Sequence, residues 1–329
     1  MSYTSYNFGV EIETVVRPYS RRPTFNNQDW YKQLAQSLEN RNVPAAPDLS
    51  SRYSTHPEYY SSKWFITRDG SLVRAHEDFS KPTYSASQPE PFHRDALMLM
   101  VATVSMEIVS PVLNTGGAVT KTLSEFWEAM SVYFEVQKEK SCGGHVHVTP
   151  PSSTSKFTLL ELKKIAFASV VYESFIHSML PASRRNNRYC AMNSTAGDHG
   201  LGRACAGGPS TSALRNVRSS LQHVSSLEGL LAYMQPSRYV IWNFANICPR
   251  QAGASCSGTL EFRGGSQFLN MKSTLKWLAF TVAFINMALD EVSVPELEFW
   301  RPVLMLVRTS CKAIISLTFP PRTHSLIHM

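Results

Sequence analysis

The stretch "NFGVEIETVV", residues 7–16, decides how the rest of the chain is read. It has the look of an apolar strand, yet it carries Glu11 and Glu13 at alternating positions. Successive side chains of a strand point to opposite faces, so Val10 and Ile12 share one face and Glu11 and Glu13 share the other. Two residues along a strand is about 6.5 Å. At an effective dielectric of about 20, two carboxylates that far apart repel by roughly 2.5 kcal/mol. Water over an edge strand would dissipate that cost, and a lone ExE reads as a solvated face. Cations over the pair would also dissipate it, provided that other strands bring further ligands.

Three later strands repeat the pattern. In "HVHV" His145 and His147 share a face and Val146 and Val148 the other; in "TLEFRGG" Glu261 and Arg263 oppose Leu260 and Phe262. In "MEIVSP" Glu107 stands between Met106 and Ile108. Each pattern alone is weak, since HxH is about as often a structural pair and ExR is usually a surface ion pair of little energetic worth. Side by side, the four strands would make a sheet whose polar face is packed with metal-type ligands. Carboxylates predominate over imidazoles, which suits Mg²⁺ or Mn²⁺ better than a thiolate-rich zinc site. Arg263 beside Glu261 suggests a bound anion, because its planar fork matches phosphate or carboxylate. Metals and arginines on phosphate are the apparatus of phosphoryl transfer.

Composition sets the wider bounds. The 329 residues are 43% hydrophobic and 17% charged, which describes a folded globular chain. The formal net charge of +7 favours anionic partners, and the basic residues are scattered apart from "RRNNR" at 184–188. No aromatic–basic repeat marks a nucleic-acid surface, so nucleotide phosphate is the expected anion. Six cysteines (Cys142, Cys190, Cys205, Cys248, Cys256 and Cys311) form no CxxC pair and read as free thiols of a reducing compartment. The N-terminus lacks a basic-then-apolar signal pattern. The most apolar segment, "LKWLAFTVAFINMAL" from residue 275, holds Lys276 and Asn286 and reads as a buried helix, not a span. The expectation is a soluble, cytoplasmic protein.

Along the chain, "DWYKQLAQSLEN" (29–40) spaces Trp30, Leu34 and Leu38 as a helix behind Asp29 as its cap. Loop follows to about residue 60, then "KWFITRDGSLV" reads as a hairpin turning at Asp69–Gly70, and residues 76–94 as loop. "VATVSMEIVSPVL" predicts a strand stopped by Pro111, and "TKTLSEFWEAMSVYFEVQ" an amphipathic helix. "CGGHVHVTPP" predicts a short strand, and "FTLLELKKIAFASVVYESFIHSML" a helix ending before Pro181. Residues 183–212 read as a long loop, "RYVIWNF" and "SGTLEFRGG" as strands, and about 271–292 as a helix. Interspersed strands and helices, with several alternating strands, favour a mixed sheet with helices on one face and a site on the other.

The ordered set "GVEIE", "DGSL", "MEIVSP", "CGGHVHV", "RYC" and "TLEFRGG" resembles the amidoligase family, over roughly residues 7–290. That family is related to glutamine synthetase and the glutamate–cysteine ligases. The resemblance implies an α+β fold like the catalytic domain of glutamine synthetase: a mixed, largely antiparallel, curved sheet with helices on its outer face and the active site on its polar face. It implies a catalytic domain over residues 1–292 and leaves 293–329 as an atypical apolar tail, an added dimer or core segment. Glu11, Glu13, His145 and Glu261 stand at the family's metal positions, with Glu107 a further metal or catalytic carboxylate. Arg263 stands at a phosphate-binding position, and Asp69 where a related enzyme holds the incoming amine; a plain Asp–Gly turn is the competing reading. His147 is expected to contact substrate, cofactor or a neighbouring carboxylate. Arg188 matches a family arginine, with Arg184 and Arg185 beside it read as solvated. Arg203, in "GDHGLGRACAGG", belongs either to a flap over phosphates or to a surface loop.

The implied activity is ATP-dependent ligation of a carboxylate to an amine through an acyl phosphate, with ATP and Mg²⁺ (or Mn²⁺) as cofactors. The chain has no GxxxxGK[ST] loop, so ATP is inferred through the family and not read directly. The partners are small carboxylate and amine molecules, amino-acid or peptide-like, with no nucleic acid and no membrane; a homo-oligomer is left open. The competing reading is a metal-dependent amide hydrolase, with zinc held by His145, His147 and a glutamate. Cys142 would allow a Cys–His variant, although a structural cysteine is the default. Glu261–Arg263 separates the two, because a hydrolase needs no arginine aimed at a metal-bound anion. A non-catalytic relative would be expected to have lost one or more of these ligands.

Overall fold

The computed structural model describes residues 5–20, 22, 25–50, 62–68, 72, 103–151, 156–208, 210–249 and 256–290. Strand β1 (Asn7–Pro18) is its hub. At one edge β4 (Val104–Val109) pairs antiparallel with Glu11–Val16, and β5 (Leu113–Asn114) with Asn7 and Phe8. At the other edge β7 (Gly143–Thr149) pairs with residues 7–12, and β6 (Phe134–Gln137) with Val15–Pro18. β9 (Leu260–Ser266) continues beyond β7, and β8 (Trp242–Asn243) beyond β9. On the β4 side lie β3 (Trp64–Thr67) and β2 (Ala45–Pro47). The open sheet runs β2-β3-β4-β1-β7-β9-β8, antiparallel except for β2–β3.

Alternation does what period two requires. Phe8, Val10, Ile12 and Val16 of β1, Met106 and Ile108 of β4, Val146 and Val148 of β7, and Leu260 and Phe262 of β9 all enter one core. Helices cover that face: α1 (Asn27–Glu39), α2 (Val119–Tyr133), α3 (Leu159–Val171) and α9 (Met271–Asp290). Trp64 stacks on Phe126 with ring centroids 4.2 Å apart. Each large apolar side chain fully buried here contributes about 1.5–3 kcal/mol of transfer free energy. The chain is thus α+β with a mixed, mostly antiparallel sheet. No helix among the described residues is long and apolar enough to cross a membrane.

Several boundaries differ from the sequence reading. α1 is capped by Asn26, and Asp29 is the returning member of the capping box. β2 lies inside the stretch read as loop, where Val43, Ala45 and Ala46 are buried. β3 pairs with β2 and β4, not with a hairpin partner; Asp69 and Gly70 lie outside the described residues, and Leu72 beyond them is helical. α2 stops at Tyr133 because Phe134–Gln137 pairs with the free end of β1. The helix over 157–180 breaks at Tyr172 into α3 and α4 (Glu173–Met179). The segment read as loop holds α5 (Ala182–Arg185), a 3₁₀ turn at Asn193–Thr195 and α6 (Gly200–Ala204). Two unforeseen helices follow, α7 (Thr211–His223) and α8 (Leu227–Met234), each with a serine N-cap. The strand in "RYVIWNF" shrinks to Trp242–Asn243, with Val240 in a single bridge to Ala191. The loops at 51–60 and 76–94 and the tail from 291 lie outside the described residues.

Gly144 is the tightest point of β7. A Cβ there would stand 2.3–2.5 Å from three ring atoms of Phe268, which is fully buried. Overpacking of this kind costs about 1–3 kcal/mol. Gly144→Ala is therefore expected to lower the thermal unfolding midpoint, whereas an unchanged midpoint would contradict this packing.

Candidate functional site

The face opposite the core gathers the chemistry. Cross-strand register sets Glu11 directly opposite His145, and His147 opposite Glu261. His145 is buried, with Nδ1 3.0 Å from Glu11 Oε2 and 3.5 Å from Glu261 Oε1, and Nε2 3.5 Å from Glu13 Oε1. His147 Nε2 lies 3.0 Å from Glu11 Oε1 and 3.7 Å from Glu261 Oε1. It makes an aligned hydrogen bond to neither, so a buried ring nitrogen faces two carboxylate oxygens without a partner.

That arrangement fits a divalent cation. Neighbouring ligands of an octahedral Mg²⁺ at about 2.1 Å stand about 3 Å apart. One ligand atom each from Glu11, His147 and Glu261 lies within 4.8 Å of the others. The imidazole of this trio is His147, whereas the sequence reading put His145 in the metal shell and His147 beside it. The reason is the diagonal placement: His147 reaches across to both Glu11 and Glu261, while His145 sinks between Glu11, Glu13 and Glu261.

The electrostatics are correspondingly tight. Burial alone would push the Glu11 carboxyl up, but the His147 charge and the bond with His145 hold it well below its usual range. Burial would lower His147, yet the Glu11 and Glu261 carboxylates raise it to about 9. Glu261 is likewise buried and still held low, chiefly by Arg263 and then by His147. Burial works against the charge on Arg263, but Glu261, Glu11 and Glu13 raise its pKa. Its Nη1 donates to Glu261 Oε1 at 2.5 Å, and Nε donates to the Tyr189 carbonyl at 3.4 Å.

Glu13 is buried and accepts from the Gly143 amide at 2.6 Å. Glu107 is half-buried and directly opposite Glu13 in the β1–β4 register, so the two carboxylates share the polar face. Thr67, opposite Glu107, carries the polar face onward and donates to buried Asp48 at 2.7 Å. Arg188 and Arg203 are elsewhere: Arg188 is exposed over the Tyr189 ring, and Arg203 makes a surface ion pair with Asp198 at 2.7 Å. Neither contacts the cluster, and α6 makes the Arg203 segment a helix instead of an open flap. Asp69 lies outside the described residues. Cys142 packs with Val15 and Leu72 as a structural residue.

Three contributors escaped the sequence reading. Asn243 donates to Glu261 Oε2 at 2.6 Å and is held in turn by Gln235 at 2.7 Å. Thr259 Oγ1 lies 3.2 Å from His147 Nδ1. Arg184, expected in solvent beside exposed Arg185, is buried and donates to the Arg263 carbonyl at 2.6 Å. Its guanidinium lies where a Cβ on Gly143 would stand, 2.9–3.0 Å from three of its atoms. Asn243 alone had a visible signal, a polar residue inside a strand; Thr259 depends on the β7–β9 pairing that brings His147 beside it, and Arg184 on the distant Arg263 carbonyl.

A family model described as "Putative amidoligase enzyme" matches residues 4–197. No curated protein matches the chain. The matched stretch holds β1, β4 and β7, and so Glu11, Glu13, Glu107, His145 and His147. Glu261 and Arg263 lie beyond it and join the cluster through the β7–β9 pairing.

The shifts fix a pH dependence for the metal-free protein. His147 is raised from 6.5 to about 9, so its contribution to stability is complete below pH 6.5 and is lost as pH rises through 9. Glu11 and Glu261 are lowered from 4.5, so their contribution is present above that value and is lost as pH falls below it. Urea unfolding of chelator-treated protein should therefore show stability falling between pH 6.5 and 9, by on the order of 3 kcal/mol. His147→Gln should flatten that fall; the same slope in the variant would contradict the assignment.

Proposed function

The chain belongs to the amidoligase family, and from that membership we propose that it is an ATP-dependent ligase joining a small carboxylate to an amine. The observation that carries the proposal is the Glu11–His147–Glu261 trio set against Arg263 on the same face. On this reading Glu11, His147 and Glu261 hold one Mg²⁺ or Mn²⁺, and Glu13 and Glu107 contribute to a second cation position. The metal supplies neutralising charge for phosphate oxygens during phosphoryl transfer to the carboxylate.

The chain's own residues then have distinct tasks. Arg263 keeps its proton in the presence of buried carboxylates and offers a planar donor fork to a phosphate anion. Asn243 fixes the carboxylate of Glu261, leaving the oxygen that faces His147 and Arg263. The Gly143 amide holds Glu13 in the same way. Asp69 is proposed to orient the amine and accept its proton as it attacks the acyl phosphate. The polar face of the sheet serves as the active-site face of a glutamine-synthetase-like catalytic domain. The substrates on this reading are amino-acid or peptide-like, and binding them needs neither nucleic acid nor membrane.

The test is product analysis. With Mg²⁺, ATP and a panel of carboxylates and amines, the protein should release ADP only when both reactants are present. Cleavage of amides without ATP would instead establish a hydrolase. Glu11→Gln should lower the ligation rate by about 100-fold or more, and full activity in that variant would sink the proposed role of the trio.

A further inference from the structure

A neutral His147 can ligate a cation through Nε2 only in the form that carries its proton on Nδ1, and a partner at Nδ1 fixes that form. The polar turn leading into β9 supplies that hold. Thr259 Oγ1 stands 3.2 Å from His147 Nδ1, and Ser257 Oγ stands 3.0 Å from Thr259 Oγ1. A threonine hydroxyl has one proton to give. If Thr259 gave it to Nδ1, the neutral ring would carry its proton on Nε2 and could not bind metal. Ser257 offers the alternative: Thr259 donates outward to Ser257 and accepts from Nδ1–H. Ser257 is exposed and can pass its own proton to water.

The turn is built to hold this position. Gly258 is buried at φ +70°, a left-handed conformation that favours glycine. Its amide donates to the Asn246 carbonyl at 2.9 Å. The Lys156 stem crosses it so closely that a Cβ would stand 2.6 Å from Lys156 Cγ. Thr259 therefore enters β9 on a fixed backbone, one residue before the strand and two before Glu261.

We propose that Thr259, backed by Ser257, is a positioning residue that holds His147 in the Nδ1–H form and so presents Nε2 to the cation shared with Glu11 and Glu261. This rests on the metal reading given above and adds to it a determinant on the second ligand layer. Loss of such partners typically weakens metal affinity about 10- to 100-fold.

Mn²⁺ titration of the full-length protein, followed by electron paramagnetic resonance of the free ion, tests it. Thr259→Val removes the hydroxyl at constant shape and should weaken Mn²⁺ binding about 10- to 100-fold. Thr259→Ser should restore binding close to the wild-type value. Undiminished binding in Thr259→Val, or equal weakening in Thr259→Ser, overturns the proposal. Nitrogen NMR of His147 in the Mg²⁺-saturated wild type gives a check that needs no variant: a proton on Nδ1 supports the proposal and a proton on Nε2 overturns it. Glu11→Gln separates the two levels. If wild type binds Mn²⁺ and Glu11→Gln does not, a failure at Thr259 counts against the positioning role alone. If wild type binds none, the metal reading fails with it.

Discussion

Glu11, half-buried, meets buried Glu13 and Glu261 in one patch, and the rest of the site is organised around their charge. Buried carboxylates normally surrender the charge by taking up protons. Here Glu11 and Glu261 are held in the charged form, because Arg263 and His147 stand among them. Arginine suits that task better than lysine would, since its guanidinium does not deprotonate under burial. One Arg263 nitrogen is given to Glu261 and another to a backbone carbonyl, so its orientation is set by both ends. Arg184 then steadies the Arg263 carbonyl from beneath, in space that only the absent side chain of Gly143 leaves open.

The fold follows the same division. One face of β1 faces helices through Phe8, Val10, Ile12 and Val16; the other carries Glu11 and Glu13. A one-residue slip in any of β1, β7 or β9 would exchange these faces. Core and polar cluster are therefore specified together, since the hydrophobic face that fixes the register also aims the carboxylates and imidazoles. Pairing β1 on both edges with four strands removes the freedom to slip.

Glu11, Glu13, His145, His147, Glu261 and Arg263 were legible in the sequence because a strand's period of two needs no knowledge of neighbours. Which histidine completes the trio was not legible, since it depends on the diagonal reach across β1, β7 and β9. Arg184 and Arg188 sit in one basic run, and only the packing of α5 against Gly143 distinguishes the buried one from the exposed one. β6 was hidden for a related reason. Its residues continue the apolar spacing of α2, and the unpaired end of β1 decides for strand. α7 had a readable pattern in Ser210 with Ala213, Val217 and Leu221, and α8 had a serine cap of its own.

The family match ends at residue 197, but the charge balance does not. Without β9 the matched part would present Glu11, Glu13 and Glu107 with two imidazoles and neither Glu261 nor Arg263. The β7–β9 pairing brings Glu261 and Arg263 in together, on one strand, two residues apart. Adding the glutamate alone would raise the repulsion; adding the arginine alone would bring a cation without its carboxylate partner. Their joint arrival adds a carboxylate to the cluster with no change in net charge, and Asn243 on β8 then fixes which of its oxygens faces inward. The second half of the chain thus balances the cluster electrostatically, and its two outer strands bring Glu261, Arg263 and Asn243 onto the same polar face as β1.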